Sequence, residues 1–194
     1  MKSSYVLSLL SKMNNASIEN RQRIAIEIMA DTSLFKDIID ITFTVNEKIS
    51  IKAAWILEWI CTHHNLLMIY PFLTEFTQKL KTLQFDSAIR PCAKICEHLA
   101  IAYQQKDSKE IHTFLTKVHI NNIISAGFEW LITPQKTAVK AYTMTSLYHF
   151  GKNQKWVHTE LKHLISSKII HESKGCKARG KQILMQLHKN EITE

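Results

Sequence analysis

Four glycines (Gly127, Gly151, Gly175, Gly180) and three prolines (Pro71, Pro91, Pro134) are all that a chain of 194 residues contains. A β-rich domain of that length needs many tight turns and left-handed backbone positions, which fall mostly to these two residue types. The scarcity points to an all-α chain. Glycines so scattered also argue against Rossmann and P-loop phosphate chemistry, and no G-x-S-x-G nucleophile turn occurs.

Apolar residues recur at spacings of three and four, broken by short polar residues. The pattern predicts about ten helices, near 3–13, 17–30, 33–44, 48–63, 72–83, 87–104, 108–131 with a break, 135–149, 154–168 and 176–189. Ser17, Ser33, Asn46 and Asp86 or Ser87 are placed to cap helix starts. Gly151 reads as a helix stop, and the prolines fall at or near first turns. Short loops between helices of this length favour antiparallel pairs.

The pairs are expected to stack. A basic residue followed by small ones recurs at Lys52-Ala53-Ala54, Arg90-Pro91-Cys92-Ala93, Lys140-Ala141 and Lys177-Ala178, at intervals of 38, 50 and 37 residues. Two of these lie near the period of about 40 found in helical-hairpin repeats, and the run Asn20-Arg21-Gln22-Arg23-Ile24-Ala25 has the look of a degenerate first unit. On these residues the chain resembles the HEAT and armadillo class of repeat proteins. The resemblance implies an α-α superhelix of stacked antiparallel hairpins, one domain over 1–194, and a role in binding.

The stretch KAAWILEWIC, residues 52–61, concentrates the problem of burial. On a helical wheel Ala53, Leu57 and Ile60 form one stripe, flanked by Ala54, Ile56 and Cys61. Trp55 and Trp59 project from the opposite side, with Glu58 beside Trp55 and Lys52 beside Trp59. A helix apolar on several sides suits the inside of a stacked array. The other reading is a concave groove in which Trp55 and Trp59, edged by Lys52, Arg90 and Lys140, stack on nucleic-acid bases and hold phosphates. HEAT-like DNA glycosylases of the AlkD type offer a precedent for such a cleft, and the resemblance would make Glu58 the carboxylate if this chain were an enzyme. A buried Glu58 otherwise needs a cationic partner, with Arg90 or Lys94 best placed.

Charge is uneven. Eleven of the 25 Lys and Arg stand from residue 136 onward, against only Glu160, Glu172, Glu191 and Glu194 among the acids, within a net +8. The basic C-terminal third is expected to contact a protein partner or nucleic acid through Lys140, Lys177, Arg179 and Lys181. Cys61, Cys92, Cys96 and Cys176 lack the spacing of a disulfide framework and read as reduced thiols. Cys92-x-x-x-Cys96 with His98 has no second ligand pair, so no metal or cofactor is expected. No stretch approaches a membrane span or a signal peptide, which predicts a cytoplasmic protein. Lys52-Ala53-Ala54-Trp55-Ile56-Leu57-Glu58, Phe128-Glu129-Trp130-Leu131-Ile132 and Lys177-Ala178-Arg179-Gly180 also resemble short helical chains labelled adenylosuccinate lyase. That superfamily carries a Ser-Ser-x-Met-Pro-x-Lys loop, whereas this chain has Ser166-Ser167-Lys168 and no Met-Pro, so the lyase remains a remote alternative.

Overall fold

The computed structural model describes residues 2–105 and 109–193, apart from the side chains of residues 2–4 and 190–193. Residue 108, where one helix was expected to begin, and the side chains of Glu191 and Glu194 lie outside the described residues. The protein is all-α, a repeat-like arrangement of packed helices with no strand among the described residues. The helices are α1 (Lys2–Ser11), α2 (Ile18–Ala30), α3 (Leu34–Thr42), α4 (Ile49–His63), α5 (Leu73–Lys79), α6 (Asp86–Tyr103), α7 (Lys109–Phe114), α8 (Lys117–Ile132), α9 (Thr137–Gly151), α10 (Lys155–Ser167) and α11 (Lys174–Thr193). The expected break in 108–131 separates α7 from α8. Residues 66–72, not expected to be helical before Phe72, form a 3-10 segment that contains Pro71.

The helices group into two compact units, Met1–Ile95 and Cys96–Glu194. The units are built on one plan. In the first, α4 packs against α1, α2 and α3; in the second, α9 packs against α8, α10 and α11. Each central helix is buried on nearly every side, as the tryptophan-rich stretch requires: Ala53, Ala54, Ile56, Leu57, Glu58, Trp59, Ile60 and Cys61 are all buried in α4. In α9 the buried set runs from Val139 through Gly151 and includes Lys140, Thr143, Thr145 and Ser146.

Two of the recurring lysine-alanine pairs, at Lys52 and Lys140, share a structural role. Lys52 Nζ on α4 donates to the Leu10 carbonyl at 3.0 Å, where α1 ends. Lys140 Nζ on α9 donates to the Leu131 carbonyl at 3.1 Å, where α8 ends. The last carbonyls of a helix have no intrahelical donor and carry partial negative charge, so a cation from the central helix satisfies both needs. Ala53, beside Lys52, is fully buried. Lys168 adds a second donor to the end of α8, 2.7 Å from the Ile132 carbonyl.

Among the expected caps, Ser17 accepts from the Asn20 amide and holds the start of α2. Ser33 and Asn46 do not act as caps; Asp31 accepts from the Ser33 amide instead, and α4 starts after Lys48 without a side-chain cap. α9 does end at Gly151, but not through a left-handed turn, since none of the described glycines has positive φ. A Cβ at Gly151 would lie 2.1 Å from Cδ2 of His158, whose Nε2 sits 2.8 Å from the Tyr148 carbonyl. The glycine is there to admit that ring.

No helix among the described residues is long and apolar enough to cross a membrane. All four cysteines are free and buried. Burial, then the Glu58 carboxylate, push the Cys61 and Cys92 thiols up from their ordinary value, which disfavours the thiolate form.

Candidate functional site

The two tryptophans of α4 part company. Trp59 is buried and fully engaged: its Nε1 donates to Gln22 Oε1 at 2.9 Å, the Arg21 guanidinium lies over its ring at 4.3 Å, and His63 stacks on it at 3.8 Å between centroids. With its ring covered and its donor used, Trp59 has no face left for a base. Trp55 is half-buried and lines a cleft of about 250 Å³ with Ala16, Arg21, Ser87 and Arg90.

Besides α4, which carries Trp55, three elements build this cleft inside the first unit. The loop before α2 supplies Ala16 and is held by Asn15, whose Oδ1 accepts from the Ser17 amide and from Asn20 Nδ2, each at 3.0 Å. Arg21 follows in the first turn of α2, and Ser87 and Arg90 come from the start of α6. Pro91, the residue after Arg90, has no amide hydrogen to return to the Ser87 carbonyl.

Glu58 stands in the core behind, its side chain 5% exposed. Lys94 Nζ lies 2.6 Å from one carboxylate oxygen and Arg21 Nη1 lies 3.9 Å from the other, while the Thr62 hydroxyl donates at 3.3 Å. The expected cationic partner is thus Lys94 rather than Arg90. One carboxylate is shared by two cations, and Arg90 is exposed with no ion pair among the described residues. Arg21 Nε is buried and hydrogen-bonded to nothing. A buried donor without an acceptor is costly. The cleft is therefore lined by two arginines, of which Arg21 shares Glu58 with Lys94 and Arg90 has no ion pair among the described residues.

The basic C-terminal third is placed differently from expectation. Lys140 is no surface contact: it is 2% exposed, and besides capping α8 it lies 2.6 Å from Glu172. Lys52 is likewise taken up by the end of α1. Arg179 donates to the Thr145 hydroxyl at 2.6 Å and lies 3.5 Å from Glu97. Lys177 and Lys181 remain exposed, one turn apart on α11. Gly175 and Gly180-Lys181 carry the spacing of a phosphate loop, a likeness the scattered glycines conceal, but both glycines lie within α11 with ordinary helical backbone, so no loop is present to cradle a phosphate.

Of the sequence-predicted residues the fold therefore joins Trp55 and Arg90 at one site, sets Glu58 and Trp59 behind it in the core, and commits Lys52, Lys140 and Arg179 elsewhere. It adds Arg21 and Ser87. Arg21 was legible only as part of a degenerate repeat; nothing in its neighbours marks it as facing Trp55.

Fold and cleft together define an all-α protein of packed helices with a cationic, indole-lined depression. No protein-family model matches the chain, and no curated protein or solved structure matches it.

Proposed function

We propose that the chain is a non-catalytic binding module, related in design to HEAT-like repeat proteins, that holds an anionic partner, nucleic acid being the chemistry that fits best. One observation carries the reading: Arg90, exposed and with no ion pair among the described residues, lines the same cleft as Arg21 and Trp55. Arginine presents a planar fork suited to phosphate oxygens, and an indole face accepts a base of any sequence. The exposed pair Lys177 and Lys181 adds positive surface on the second unit. Four free buried thiols fit the cytoplasm.

The glycosylase alternative needs Glu58 as a general base within reach of a substrate. With Lys94 at 2.6 Å and 5% exposure, Glu58 is occupied as the counterion of the core, which supports binding without catalysis. The test is fluorescence anisotropy of labelled single-stranded and duplex oligonucleotides between about 50 and about 200 mM salt. Binding that weakens steeply with salt supports the module; no binding at the lowest salt refutes it. Base release from alkylated DNA that is lost in Glu58→Gln would restore the enzyme.

A further inference from the structure

The first-unit cleft contains more than positive charge, and its parts differ in what they accept. Arg90 is exposed and can reach any anion that drifts past. Arg21 is different: its side chain is 21% exposed, its guanidinium is held over Trp59, and its idle Nε is buried. An anion that shares its charge with both arginines must therefore enter the cleft that they line rather than pass along its rim. Trp55 meets whatever enters with an indole, and Ser87 offers a hydroxyl on the opposite element. At about 250 Å³ the space falls below the roughly 300–1,000 Å³ of sites that enclose a whole drug-sized ligand. It suits one residue-sized piece of a longer chain.

From these features we infer that the cleft is a single-nucleotide subsite for a single-stranded nucleic acid, with a phosphate between Arg21 and Arg90 and the attached base against Trp55. The inference rests on the anionic-partner reading above and adds to it a unit, a strand state and a division of labour. A duplex cannot deliver the base, because in a stacked helix the base faces are covered by their neighbours. An acidic peptide supplies carboxylates without an obligatory aromatic ring beside each one. A nucleotide supplies both, with a ribose hydroxyl or exocyclic amine that Ser87 can meet. Trp59 and Glu58 act here as positioning residues: the ring and the carboxylate hold the Arg21 guanidinium in place.

The experiment is competition against a fluorescein-labelled single-stranded oligonucleotide bound to the full chain, with a nucleoside 5′-monophosphate, the unphosphorylated nucleoside, inorganic phosphate and a heparin fragment as competitors. The monophosphate is expected to displace the strand at concentrations where the nucleoside or phosphate alone does not, and the duplex to bind more weakly than the strand. Arg90→Ala and Trp55→Leu are each expected to weaken binding about tenfold, the size of one charge-assisted hydrogen bond or one stacked base. Only the arginine change lowers the salt slope, by about one. Arg21→Lys, which keeps a cation near Trp59 and removes the planar guanidinium fork, weakens binding with the thermal midpoint preserved. Strand binding that survives Arg90→Ala and Trp55→Leu unchanged, inorganic phosphate competing as well as the monophosphate, or a preference for duplex overturns the subsite while leaving a polyanion-binding module standing. Failure to bind any polyanion at low salt overturns both.

Discussion

Replacing Glu58 by glutamine separates a core counterion from a catalytic carboxylate. The change keeps the shape of the side chain and removes its charge. It leaves Lys94, formerly 2.6 Å away, and Arg21, formerly 3.9 Å away, without their carboxylate at a position only 5% exposed. Removing one partner of a buried ion pair costs about 3–5 kcal/mol. Lys94 and Arg21 are 25% and 21% exposed and can turn partly toward water, and the glutamine carbonyl still accepts one hydrogen bond. The expected loss is therefore about 2–3 kcal/mol. For a chain of this size that lowers the thermal midpoint by roughly 4–12 °C. Urea denaturation followed by circular dichroism measures it, and adding Lys94→Met in a double-mutant cycle isolates the pair. A coupling of at least about 1 kcal/mol is expected. Glu58→Gln within about 0.5 kcal/mol of the unaltered protein, with no coupling to Lys94, would falsify the counterion assignment.

Lys140→Ala is expected to cost about 3 kcal/mol, since it empties a fully buried position and removes one donor from the end of α8, whereas Lys177→Ala on the exposed face of α11 stays within about 0.5 kcal/mol; equal effects in urea melts would refute the distinction. Gly151→Ala drives a methyl into His158 and breaks its contact with the Tyr148 carbonyl, for about 1–3 kcal/mol, and the loss shrinks when His158 is also replaced by alanine. His149 has its pKa held down to about 4 from an ordinary 6.5, by burial first and then by Lys152. A base with a lowered folded-state pKa stays neutral while the unfolded chain takes up a proton, so its contribution is intact above about pH 6.5 and is lost as pH falls toward about 4. The gap is worth at most about 3 kcal/mol, roughly halved for a ring in partial contact with water. His149→Leu should flatten stability against pH in that window, and an unchanged profile would refute the assignment.

Turn scarcity and apolar spacing made the fold legible. Helix formation is decided by neighbours three and four residues away, so residues 17–30, 87–104 and 154–168 could be read almost to the residue. The break in 108–131 could be read in the same way. The 3-10 segment at Leu66–Phe72 escaped because its unbroken apolar run has no spacing of three and four, and Pro71 reads as the start of the following helix. The demand for burial in α4 was also legible, because two indoles, three isoleucine or leucine residues and a cysteine within ten residues leave no face for water.

What each polar residue does was settled by long-range geometry. Lys52, Lys140 and Lys177 share one local pattern, yet two cap the ends of neighbouring helices and one faces solvent. Their fates depend on helix ends that lie 42 and 9 residues away in sequence. Trp55 and Trp59 are likewise one turn apart on the same helix, and what separates them is α2, which brings Arg21 and Gln22 onto one ring and leaves the other beside open space. Local spacing encodes which face of a helix is apolar; which neighbour meets that face, and whether a charge there is paired or idle, is fixed only when the helices pack.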